Sequence, residues 1–361
     1  MEKETHMTTV FELNRQEIDL KPLCSFLSSL TLPIVRPADQ SLELFLKEKL
    51  EAYKNGLSGF LETWNVSPSF MDSVKSQLTE FDLNNKRLVL CVKQFNNNNQ
   101  SASRILFKAF MDKCHLYHMR LEDIAPLYRI RVDEKGELSN PPKRKELFHI
   151  PYLRRGTVKY ERYSANGFPC LYLSKNPLVA FLECNQPKKS YVSQFNPTGD
   201  IRDWKLVYLQ HPHQFEKWIE SQKNEFSEEV LARVIAHYIG QIPLLISCSI
   251  IEESEKESYF SENYIIPQLL MEWICENRSK TGVYGVAYFS CKRIFSTIHT
   301  SNTANVAIPS FNPSEDSQDG YSRLLGNNFN ISTPTLIENK ESDFQYPVED
   351  PAEFKTIFED F

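Results

Sequence analysis

The stretch from Arg162 to Cys184, RYSANGFPCLYLSKNPLVAFLEC, constrains the chain more tightly than any other segment. Asn166-Gly167 is a turn signal and Cys170 to Leu173 reads as a strand. Ser174 or Asn176 stands where a helix cap belongs, and Pro177 follows at the first helical position, where its missing N–H costs nothing. Leu178 to Leu182 are all apolar, and Glu183 then interrupts them. A helix so apolar is expected to be buried, and an ionised carboxylate at its end is expensive unless partnered or used. Glu183 is therefore either the exposed end of a core helix or a functional acid.

The surrounding chain divides by texture. SLELFLKEKLEAYKNGL carries apolar residues at three-to-four spacing behind a capping Ser41, and SPSFMDSVKSQLTEF repeats the pattern behind Ser67. A polar tract, Asn96 to Gln100, is read as a loop before the helical SASRILFKAFMDKC. These features predict an all-helical accessory domain over residues 1–122. Beyond Pro126, LYRIRV, PCLYL, KLVYL, QIPLLISCSI and VYGVAYFS read as strands. NPLVAFLEC, EEVLARVIAHYIG and IPQLLMEWICENR read as helices. The mixture predicts an α+β domain over 123–337, followed by an acidic tail over 338–361 with eight carboxylates against two lysines. At roughly 150 residues per domain, 361 residues accommodate that division.

Composition excludes several classes. Lys and Arg number 41 against 47 Asp and Glu, a net charge of −6, so no global basic field awaits nucleic acid or an anionic membrane. Neither partner is expected. Glycine occurs 11 times and no segment matches the dinucleotide or phosphate-loop glycine motifs. The eight cysteines are scattered with no C-x-x-C pair, which fits reduced thiols. With no apolar leader at the N-terminus and no uncharged run of membrane-spanning length, the sequence reading is a cytoplasmic protein. His211 and His213 lack a third ligand at useful spacing, so no metal site is expected. Arg144 and His149 have the R-x-x-x-x-H spacing of HEPN-type ribonucleases. Prolines bracket the pair, whereas that chemistry needs one helix, so the match is read as chance.

Tyr128-Arg129, Arg162-Tyr163-Ser164, Gly167-Phe168-Pro169, Tyr172, Glu183 and Ser290 occur in that order, with LFHIP, IPQLLMEWI and NVAIP between and after them. Together these motifs resemble the RES domain, a family of NAD-degrading toxins related in fold to the ADP-ribosyltransferases. The resemblance spans Ile124 to Ile337. It implies an ADP-ribosyltransferase-like mixed β-core with flanking helices, and cleavage of the nicotinamide–ribose bond of NAD by hydrolysis or phosphorolysis. NAD is then substrate, with no resident cofactor. An antitoxin or immunity protein and a second copy of the chain are the expected partners. Glu183 would stabilise the ribosyl cation, Tyr172 would stack on nicotinamide or bond the ribose, and Ser290 would bind the carboxamide or orient Glu183. Arg129 and Arg162 would hold the pyrophosphate. Arg131 shares Arg129's strand face and is an alternative ligand, while Tyr163 and His149 are further contacts or plain core residues. A protein ADP-ribosyltransferase using the same site, or a non-catalytic nucleotide- or partner-binding module, are the rival readings.

Overall fold

A computed structural model describes residues 18–164, 167–253, 260–292, 303–311, 320–338 and 354–356. Helix α1 (Lys21–Ser28) leads through strand β1 (Ile34–Arg36) into helices α2 (Leu42–Thr63), α3 (Pro68–Ser76), α4 (Phe81–Asn96) and α5 (Gln100–Met111). Ser41 caps α2 as expected, accepting a backbone N–H from its first turn, and Ser67 and Asn99 do the same for α3 and α5. The polar tract is a tight turn, because Asn96 still ends α4 and Asn99 already caps α5.

Strand β2 (His118–Arg120), helix α6 (Leu121–Ile124) and strand β3 (Leu127–Val132) follow. Next come β4 (Cys170–Ser174), α7 (Pro177–Glu183), β5 (Lys189–Pro197) and β6 (Lys205–Leu209). Helices α8 (Pro212–Gln222) and α9 (Glu228–Cys248), strand β7 (Ile250–Glu252), helix α10 (Ile265–Thr281) and strands β8 (Val283–Phe289) and β9 (Ala304–Pro309) come after. The described chain closes with α11 (Arg323–Asn328), β10 (Phe329–Ser332), β11 (Thr335–Glu338) and β12 (Phe354–Lys355). The class is α+β, as expected. Ten strands form one sheet in the order β12-β10-β5-β3-β4-β9-β8-β6-β2, with β11 also on β5. Every pairing in it is antiparallel except β6 with β8.

Two readings are corrected. QIPLLISC is the last two turns of α9, with β7 beginning only at Ile250. Pro243 sits inside that helix and removes the N–H that would bond the Ile239 carbonyl four residues back. The Tyr53 hydroxyl donates to that carbonyl instead, at 3.0 Å, so a residue of α2 repairs the helix that the proline would break. The expected boundary after residue 122 is not a break in packing. Leu46, Leu57, Phe70 and Val74 share one buried cluster with Ile239, Leu245, Leu270 and Val286. Strand β2 is an edge of the main sheet, and β1 pairs in parallel with β7. The N-terminal helices cover the apolar faces of α9 and α10, which would otherwise meet water. Strand β5 was not anticipated: its SYVSQF pattern alternates weakly, yet it lies between β3 and β10 and buries Tyr191, Val192 and Phe195.

Of the acidic tail, residues 339–353 and 357–361 lie outside the described residues, and Phe354–Lys355 pairs with β10. One described helix, α9, has the length and apolarity of a membrane span, and 72% of its most apolar window is buried within the fold.

Candidate active site

Strands β3 and β4 are joined at one register pair, Tyr128 with Ser174. On the far side of that pair the ladder stops, and the strands part around a cleft of about 1380 Å³. Arg129 spans the parting: its guanidinium Nη1 donates to the Tyr172 carbonyl at 2.9 Å, taking a place that a ladder N–H would otherwise fill. Its Nε is buried with no partner, and no carboxylate pairs with it among the described residues. Burial, reinforced by the nearby Arg131, brings the guanidinium down to about 10, so it remains charged at neutral pH. A desolvated cation held beside a cleft without its own counter-charge is suited to an anionic ligand.

Helix α7 delivers the acid. Asn176 accepts the Leu178 N–H, and Pro177 opens a helix that buries Val179, Ala180 and Phe181 and ends at Glu183. One carboxylate oxygen, Oε1, accepts from Ser290 Oγ at 2.5 Å and from Asn305 Nδ2 at 2.8 Å. Ser290 directly follows β8 and Asn305 lies in β9, and both are buried. Two strands therefore clamp one oxygen of Glu183, and Oε2 has no partner among the described residues. Lys292 Nζ bonds the Leu182 carbonyl at 3.4 Å and the Asn185 side chain, closing the end of α7. Asn185 and Gln186 take positive φ there, 61° and 52°, which turns the chain sharply away.

Arg162 lines the same cleft. Its Nη1 donates to the Cys248 and Ile250 carbonyls at 2.8 and 3.1 Å, and the guanidinium lies 5.0 Å from the Tyr264 ring centre. Tyr172 also lines it, but its hydroxyl is committed to the Tyr163 N–H and the Ser164 hydroxyl, at 3.2 and 3.0 Å. In all, the wall carries five basic residues (129, 155, 159, 162 and 292) against three acidic ones (161, 183 and 252).

The structure thus brings Arg129, Arg162, Tyr172 and Glu183 to one cleft, with Ser290 behind Glu183 and not on the wall. It does not bring the remaining three. Arg131 lies off the cleft wall, paired across the sheet with Tyr191. Tyr163 is 1% exposed and packs on Tyr288 at 4.6 Å, which makes it a core aromatic. His149 is equally buried. Its Nδ1 bonds the Ile150 carbonyl and its Nε2 accepts the Ser322 N–H at 3.0 Å, so both ring nitrogens serve the fold. Arg144 is buried on the Ile331 carbonyl and does not share a helix with His149. His211 caps α8 and His213 pairs with Glu216, and the described residues hold no cluster of metal-ligating side chains. Asn305, Glu161 and Lys292 escaped the sequence reading. Asn305 was legible in principle, since it opens the NVAIP motif, while a strand partner for an acid 122 residues away is not.

The chain is 25% identical over 355 residues to the Bacillus subtilis (strain 168) protein named "Putative toxin YopC", an alignment covering 92% of this chain and 76% of that one. No protein-family model matches the chain. No solved structure matches it significantly.

Proposed function

We propose that the chain is a toxin that cleaves the nicotinamide–ribose bond of NAD, with an ADP-ribosyltransferase-like core. The observation that carries the reading is the pairing of a clamped carboxylate, Glu183, with the uncompensated guanidinium of Arg129 in one cleft. Bond cleavage at an N-glycoside develops positive charge on the ribose, and a fixed carboxylate oxygen stabilises that charge without reorganising. The pyrophosphate of NAD brings the negative charge that Arg129 and Arg162 lack a partner for, in a wall with an excess of basic groups. Likeness to a protein named as a toxin supports the cellular role, since loss of NAD arrests a cell.

Incubating the purified chain with NAD and measuring free nicotinamide tests the chemistry. Release by the wild type, lost in Glu183→Gln at unchanged melting temperature, is the expected result. Absence of release from folded wild-type protein refutes the reading and leaves a binding module. With NAD labelled in its adenylate, the label is expected in small products and not on protein, which separates cleavage from ADP-ribose transfer. Expression of the wild type, but not of Glu183→Gln, is expected to halt bacterial growth.

A further inference from the structure

A second carboxylate stands in the same cleft. Glu161 lies one residue before Arg162, in a loop whose backbone is held at both ends. The Glu161 and Ser164 N–H groups each donate to the other's carbonyl at 3.1 Å, and the Gln268 side chain of α10 donates to both carbonyls at 3.0 and 3.1 Å. A rigid backbone of this kind fixes where the side chain starts. The carboxylate itself has no hydrogen bond or ion pair among the described residues, and Glu161 lines the wall of the cleft.

Its charged neighbours come from four elements: Arg129 on β3, Lys159 on its own loop, Glu183 on α7 and Lys292 after β8. Desolvation by the wall raises the carboxyl first, Glu183 raises it further, and the three cations oppose both. A carboxyl poised above the usual range beside one that stabilises charge is the division of labour that two-carboxylate glycoside chemistry uses.

We propose that Glu161 is a catalytic general base that takes a proton from the attacking water, so that the acceptor of the ribosyl group is water rather than phosphate. The inference rests on the reading of the cleft as an NAD-cleaving site. In the step, the water oxygen forms a bond to ribose C1′ as the C1′–N bond breaks. The bonding pair leaves on the nicotinamide nitrogen and neutralises its pyridinium charge. The water's proton passes to Glu161 and then to solvent, giving ADP-ribose and nicotinamide. Phosphate is already anionic and needs no such base.

The test compares wild type, Glu161→Gln, Glu161→Ala and Glu183→Gln, each checked for an unchanged melting temperature. General-base assistance contributes on the order of 100-fold or more. Glu161→Gln should therefore lower kcat by about 100-fold with little change in KM for NAD, and should abolish the acid limb of the kcat–pH profile. Azide attacks without losing a proton, so it should restore nicotinamide release to Glu161→Ala but not to Glu183→Gln. Added phosphate should leave the wild-type product as ADP-ribose. Undiminished kcat in Glu161→Gln, a loss confined to KM, no rescue by azide, or an ADP-ribose phosphate product each overturns the inference while wild-type activity leaves NAD cleavage standing. A wild type that releases no nicotinamide overturns both.

Discussion

Removing the Ser290 hydroxyl isolates what the clamp on Glu183 contributes. Ser290 Oγ donates at 2.5 Å to the same oxygen that Asn305 reaches at 2.8 Å, and no other donor reaches that carboxylate among the described residues. A hydrogen bond to a charged group contributes about 1.5 to 3 kcal/mol. If that energy goes into holding the carboxylate where the ribosyl cation develops, Ser290→Ala lowers kcat by about 10- to 150-fold. KM for NAD changes little, because the contact gains its value only as charge appears. Ser290→Cys keeps the volume but donates weakly, so its kcat falls between the two. Asn305→Ala should have an effect of similar size. The double variant should depart from the product of the two single effects, since both side chains hold one oxygen. Steady-state nicotinamide release at several NAD concentrations, alongside thermal melting, measures all of this. Ser290→Ala with wild-type kcat, or with a loss expressed wholly in KM, refutes the positioning role.

In the inactive Glu183→Gln background, Arg129→Ala should weaken calorimetric NAD binding by about 1.5 to 3 kcal/mol, with Arg129→Lys recovering part of it. Unchanged affinity removes Arg129 from the anion site. Arg162→Met should cost stability as well as affinity, about 1.5 to 3 kcal/mol in urea unfolding, because it leaves the Cys248 and Ile250 carbonyls without their charged donor. Burial, more than any other cause, lowers His149 from 6.5 to about 4, so its folded value lies below its unfolded one. The stability it confers is complete above pH 6.5 and is lost as pH falls through about 4. About 3 kcal/mol should disappear across that window in denaturant titrations, and a flat profile contradicts the assignment. Residues 123–361 expressed alone should show no cooperative melt, since α9 and α10 lose the helices that cover them.

Local signals in the sequence settled local structure. The caps at Ser41, Ser67 and Asn176, the proline opening α7, and the apolar run that buries it act through atoms a few residues apart, so any fold containing these segments builds them the same way. Glu183 and Arg129 were singled out by the ordered motifs that resemble the RES domain, and the structure sets both on the wall of one cleft. Long-range partners were not legible. QIPLLISC reads as a strand because its apolar run is short and its proline argues against a helix interior, and the helix accommodates that proline because Tyr53, 186 residues away from Ile239, donates to the carbonyl left without an N–H. Arg129 and Arg131 are equivalent by strand alternation, and the parting of β3 from β4 is what sets Arg129 into the cleft and leaves Arg131 outside it. Tyr163 and His149 carry side chains suited to a ligand, but burial turns one into core and binds the other to two backbone groups. The clamp of Ser290 and Asn305 on one oxygen of Glu183, and the placing of Glu161 on the wall of the same cleft, depend on strands and loops far apart in the chain. Chain order specifies which groups exist, and only the packed sheet determines which of them meet.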